Sequence, residues 1–96
     1  MRKYELMYIV RPDLDDENLR ATREKVHSVI TNNGGEIIEV NEMGKRRLAY
    51  EIKKFRDGVY TVVTFNATPE VVNELDRTIK INDNVIRHMI INLEEK

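Results

Sequence analysis

The sequence predicts a split β-α-β sandwich: one antiparallel sheet of four strands with two helices on one face. Three observations predict it. Alternating or β-branched runs occupy residues 3–10, 36–52, 59–67 and 85–93. Two intervening stretches, opening at Asp15 and at Thr68, repeat apolar residues at helical spacing. The resulting order, β-α-β-β-α-β, closes with right-handed crossovers into one sheet, its first and third strands central and its second and fourth at the edges. The 96 residues make one domain, 1–96, with 94–96 a short frayed tail.

Each element has its own signal. In the first strand Tyr4, Leu6, Tyr8 and Val10 share one face, and Lys3, Glu5, Met7 and Ile9 the other. Arg11-Pro12-Asp13 ends it. Asp15 is an N-cap, with Asp16 and Glu17 at the positive end of the helix dipole. Leu19, Thr22, Val26 and Ile30 form the helix's apolar stripe, and Gly34-Gly35 stops it. The long second strand is interrupted by Gly44, an expected bulge or bend. Lys53 to Asp57 reads as a polar hairpin connection closed by Gly58. Val59 to Ala67 is the third strand. Thr68-Pro69-Glu70 opens the second helix, with Val72, Leu75 and Ile79 at helical spacing. Asn82-Asp83-Asn84 turns the chain into the last strand.

Composition narrows the function classes. The chain has no cysteine, which removes disulfides and thiolate metal sites. Metal-ligand spacing is absent, and no cofactor is expected. His27 and His88 are far apart in sequence and are expected to be structural. The one glycine pair follows a helix and precedes a strand, the reverse of a phosphate cradle. The N-terminal apolar run is short and broken by Glu5, so it is read as neither signal peptide nor membrane span, and a cytoplasmic location is expected.

Charge is focused. The chain's formal charge is −1, yet residues 45–57 carry six basic and two acidic side chains, while 35–44 carry three acids and no base. Such a ribbon has two readings: charges that protect an edge strand from aggregation, or a polyanion site. Within it Tyr50 stacks on a ligand or packs inward with Leu48 and Ile52. The sheet's helix-free face supplies a second surface, where Met7, Ile9, Tyr60, Val62, Thr64, Arg87, Met89 and Ile91 are expected together. The third strand, from Asp57 to Thr64, lacks the aromatic stacking pair of an RNA-recognition motif, so any RNA is expected to be gripped as a folded shape.

Across essentially its whole length the sequence resembles the family of the sixth protein of the bacterial small ribosomal subunit. The residues that carry the resemblance are Tyr4-Glu5, Ile9-Val10-Arg11-Pro12, the run Gly44-Lys45-Arg46-Arg47-Leu48-Ala49-Tyr50-Glu51-Ile52-Lys53, Gly58, Tyr60, Ile81, Asp83-Asn84-Val85 and Arg87. The central G-x-R-R-L-A-Y-x-I-K run is the most specific. Met43 stands where a large aromatic is usual, and the tail is shorter than in longer members. The resemblance implies a ferredoxin-like fold and a non-enzymatic role. It implies binding to the central domain of small-subunit ribosomal RNA, cooperatively with ribosomal protein eighteen of that subunit.

On that basis Arg2, Lys3, Arg46, Arg47 and Arg87 are expected to meet phosphates, and Tyr4 a ribose or base. Met7, Ile9, Tyr60, Val62, Met89 and Ile91 are expected to include part of the protein-partner interface. Arg2, Lys3 and Arg87 are expected to lie close together, with Arg46 and Arg47 on the opposite edge. Two other readings share the topology. An acylphosphatase-like enzyme needs a glycine-rich anion loop with an arginine after the first strand, where this chain has Arg11-Pro12-Asp13-Leu14-Asp15-Asp16. A ligand-sensing or oligomerising domain needs no RNA affinity.

Overall fold

A computed structural model describes residues 1–94. Its elements are β1 (Arg2–Val10), α1 (Asp16–Asn32), β2 (Glu36–Ile52), β3 (Phe55–Ala67), α2 (Pro69–Lys80) and β4 (Val85–Asn92). All four strands form one sheet in the order β2-β3-β1-β4, with every neighbouring pair antiparallel. This is the expected ferredoxin-like sandwich. Of the expected tail, Glu94 sits in a turn, its N–H donating to Asn92 Oδ1 at 2.9 Å; Glu95 and Lys96 lie outside the described residues.

The main core forms where the helices cover the sheet. Tyr4, Leu6, Tyr8 and Val10 of β1 are paired across to Phe65, Val63, Thr61 and Val59 of β3, and all eight are buried. Thr22, Val26 and Ile30 of α1 are buried on the helix side. The Asp15 carboxylate accepts from the Asn18 N–H at 2.8 Å, capping α1. Thr68 occupies the N-cap of α2 without a side-chain cap bond, and Pro69 follows in the first turn. The buried stripe of α2 is Val71, Leu75 and Ile79. The expected Val72 packs half-buried against this core, and Val71, one four-residue step before Leu75, is the fully buried member.

The long strand β2 departs most from a regular ribbon. Seventeen straight residues would span about 55 Å, whereas the whole molecule is 36 Å at its longest. The strand therefore bends, and its register with β3 shifts at three places. The second shift lies at Met43-Gly44, where Gly44 takes φ 79°, a left-handed bulge that a side chain would disfavour. At the third, Arg47 pairs with Asp57 and Ile52 with Phe55, so residues 48–51 stand opposite Arg56 alone. The turn itself is tighter than the expected connection from Lys53 to Asp57. Lys53 and Lys54, at φ 49° and 71°, form a two-residue turn with both centres left-handed, which matches the twist of a hairpin.

The extra β2 residues carry the hairpin arm over the helix-free face. Leu48 packs there against Ile9 of β1 and Ile86 of β4, with Ile52, Phe55 and Tyr60 around them. Gly58 permits this approach: a Cβ at that position would lie 2.2 Å from Ile9 Cγ2 and 3.5 Å from Leu48 Cδ2. Gly58→Ala should lower the free energy of unfolding in urea by about 1–3 kcal/mol through overpacking. An unchanged transition midpoint would show that Ile9 and Leu48 do not constrain the arm.

One polar contact crosses the main core. The Tyr8 hydroxyl and His27 Nε2 share a hydrogen bond of 2.8 Å, joining β1 to α1. Burial pushes the Tyr8 hydroxyl up to about 12, so it remains protonated. Burial, assisted by the Arg23 guanidinium and opposed by Glu42, holds His27 below its ordinary value. The folded chain therefore resists a proton that the unfolded chain accepts below about pH 6.5, and stability falls as pH drops through that value. His27→Gln keeps an acceptor without titrating. It should flatten the pH dependence of unfolding between about pH 7 and pH 5; an unaltered slope would contradict this role.

Candidate nucleic-acid and partner interface

The hairpin arm gathers exposed cations. Lys45, Arg46, Arg47, Lys53 and Lys54 are all exposed along the arm. None lies within 4 Å of a carboxylate among the described residues; only Arg56 of the arm pairs, at 3.9 Å from Glu51. Elsewhere four arginine and lysine side chains meet carboxylates among the described residues. Arg11 pairs with Asp13, Arg77 meets Glu74, Lys80 lies 2.9 Å from Asp76, and Arg23 lies 3.5 Å from Glu42. His88 Nε2 approaches Asp76 Oδ1 at 2.6 Å; this bond, with Lys80, holds the Asp76 carboxyl below the usual carboxylate range.

Two contacts pin the arm. Tyr50 is 61% exposed, not packed inward, and its hydroxyl accepts from Arg87 Nη1. The same guanidinium lies 5.8 Å from the Tyr50 ring centroid. On the other side of the arm, Arg11 lies 5.1 Å over the Phe55 ring. A cleft of about 110 Å³ opens between arm and sheet, lined by Met7, Ile9, Leu48, Tyr50, Ile52, Tyr60 and Arg87. A hollow of about 570 Å³ lies between α1 and β2. It mixes Arg20 and Arg23 with Asp16, Glu24 and Glu42, so no single charge converges there.

This geometry rearranges the expected sites. Arg87 pairs in register with Ile9, at the opposite end of β1 from Arg2 and Lys3. Seven residues of strand separate Arg2 from Ile9, about 24 Å. Arg2, Lys3 and Arg87 therefore do not form one cluster. Arg87 instead meets the arm that bears Arg46 and Arg47, although β4 and β2 are opposite edges of the sheet. Tyr4 is 6% exposed and stacks on Phe65 with ring centroids 5.7 Å apart, so its ring belongs to the core and not to an RNA surface. The alternation that pairs it with Leu6 and Tyr8 carries that signal.

The expected partner patch is similarly divided. Met89 and Ile91 are exposed, and Met7, Tyr60 and Val62 are half-buried on the helix-free face. Ile9 is 3% exposed because Leu48 and Ile86 cover it, which removes it from any outer surface. Sequence reasoning missed Leu48 and Ile86 as a second small core. The available signal was the surplus of residues between Gly44 and Gly58 relative to the facing strand. Ile86 is the extra residue where the β1–β4 register shifts beside Val10.

The loop after β1 is not an anion cradle. Both nitrogens of the Arg11 side chain that face Asp13 donate to its carboxylate, at 2.7 and 3.0 Å. That contact holds the Asp13 carboxyl below its ordinary value and occupies the loop's one arginine. An acylphosphatase-like site would need that guanidinium free.

Comparison with known proteins accords with the geometry. The family model described as ribosomal protein S6 matches residues 3–92. The chain belongs to the ribosomal protein S6 family. A crystal structure of the 30S ribosomal protein S6 from Thermotoga maritima is similar at 35% identity and a TM-score of 0.90, covering 95% of this chain and 86% of that one. The C-terminal domain of the MgtC protein from Mycobacterium tuberculosis shares 12% identity at a TM-score of 0.65, over 99% of this chain and 90% of that domain. That likeness is one of fold alone. Family membership makes this S6-family chain a ribosomal protein of the small subunit.

Exposed side chains without carboxylate partners contribute little to folding. Arg46→Gln and Arg47→Gln should therefore each change unfolding free energy by no more than about 0.5 kcal/mol. A loss well beyond that in urea denaturation would show that these arginines serve the fold rather than a ligand.

Proposed function

We propose that this S6-family chain is a non-catalytic component of the small subunit in the cytoplasm. In this reading it binds the central domain of the ribosomal RNA cooperatively with ribosomal protein eighteen. The observation that carries the reading is the arm itself. Five exposed cations, Lys45, Arg46, Arg47, Lys53 and Lys54, stand without carboxylate partners among the described residues, on a hairpin pinned beside Arg87. Cations left unpaired and closely spaced suit phosphates, and arginine forks add hydrogen bonds to phosphate oxygens. Arg2 and Lys3 form a separate cationic end, suited to a second stretch of backbone. The apolar side chains of Met89 and Ile91 on the helix-free face supply the surface for the protein partner.

The net charge of −1 keeps the affinity of the chain alone low, because acidic side chains in Glu36, Glu39 and Glu42 flank the arm. A partner bound to the same RNA converts the second association into an intramolecular one. Titrating a central-domain RNA fragment with each protein alone and with both tests this. Tighter binding of the pair is expected, with the log–log salt slope falling in magnitude by about 0.7–0.9 for each phosphate contact removed. Equal affinity of this chain with and without its partner would overturn the cooperative reading.

A further inference from the structure

The Arg87–Tyr50 contact joins two opposite edges of one sheet. The edge strand β4 lies three strand spacings from β2, about 14 Å. Yet the arm closes this gap, and Arg87 donates to the Tyr50 hydroxyl with its guanidinium carbon 5.8 Å from the ring centroid. Tyr50 is 61% exposed, so little burial holds it there. The contact is polar and cation–π in kind, set above the buried Leu48, Ile9 and Ile86. Arg47 is three residues from Tyr50, no more than about 10 Å of chain. An arginine has five N–H donors, so a guanidinium engaged through Nη1 keeps others for phosphate.

We infer that Tyr50 is a positioning residue. Its ring and hydroxyl latch the basic arm to Arg87, so that Arg46, Arg47 and Arg87 act as one phosphate-binding surface. The inference rests on the RNA-binding reading above and specifies how its surface is assembled. Without the latch the arm keeps its charges but loses their fixed spacing relative to β4, and each cation then engages at the cost of ordering the arm. Tyr50 carries no charge, so removing it leaves the electrostatic total unchanged.

Two measurements separate the latch from its use. In the free protein, amide hydrogen exchange over residues 48–56 should speed up about tenfold in Tyr50→Ala. It should change by a smaller amount in Tyr50→Phe, which loses the hydroxyl acceptor but keeps the ring beside Arg87. Unchanged protection in Tyr50→Ala would overturn the latch. In the complex, a central-domain RNA fragment is titrated in the presence of protein eighteen at several salt concentrations. Tyr50→Ala should weaken binding about tenfold and reduce the magnitude of the salt slope by about 1–2. Tyr50→Phe, which keeps the ring without the hydroxyl, should fall between Tyr50→Ala and the wild type in both. Arg87→Gln should weaken binding of the wild-type arm more than that of Tyr50→Ala, because the two act together.

Weaker binding by Tyr50→Ala at an unchanged slope would mean that the ring stacks directly on a base, and would overturn the positioning role. So would wild-type affinity in Tyr50→Ala. If the wild-type chain binds no RNA even with its partner, the functional reading fails and the positioning role falls with it. The exchange measurement still reports the latch in that case.

Discussion

The contact of Leu48 with Ile9 and Ile86 determines the shape of everything on the helix-free face. A four-stranded sheet covered on one side leaves its other side wet, and this chain spends three buried aliphatic residues there. Burying each such side chain is worth roughly 1.5–3 kcal/mol. That gain is large enough to bend a strand and to hold two lysines in left-handed conformations at the turn, each at a cost of about 1–2 kcal/mol. Gly58 is the necessary counterpart, because the arm lies against Ile9 only where β3 lacks a side chain.

Charge follows from this shape. Several cations on the helices and in the first loop meet carboxylates close by: Arg11 with Asp13, Arg77 with Glu74, Lys80 with Asp76. These exposed pairs are individually weak, but they cancel fields. The arm's cations have no such neighbours among the described residues, and Arg56 alone has a distant one. A chain near neutrality thereby presents a local excess of positive charge within about one Debye length. Placement, more than total charge, distinguishes this surface.

Much of the fold was legible because its periodicities are clean. The alternation of Tyr4, Leu6, Tyr8 and Val10 and the four-residue steps of α1 state which face is buried. The cap at Asp15 and the bulge at Gly44 follow from side-chain chemistry and from the freedom of glycine. The arm was less legible. Period-two reasoning assumes a regular ladder, and β2 breaks register three times. Past Arg47 parity no longer predicts direction, so Tyr50 turns outward while Leu48 turns in. Antiparallel pairing likewise sets Arg87 beside Ile9 and far from Arg2, a consequence of strand direction that adjacency alone does not convey.

The central claim is that RNA meets the folded-over arm and Arg87 as one surface. Photo-crosslinking the chain within a reconstituted complex of central-domain RNA and protein eighteen, with the attached peptides mapped, tests it most directly. The account predicts attachment within residues 45–56 and at the Arg87 segment on neighbouring nucleotides. Attachment confined to the helical face, with the arm left unmarked, would contradict it.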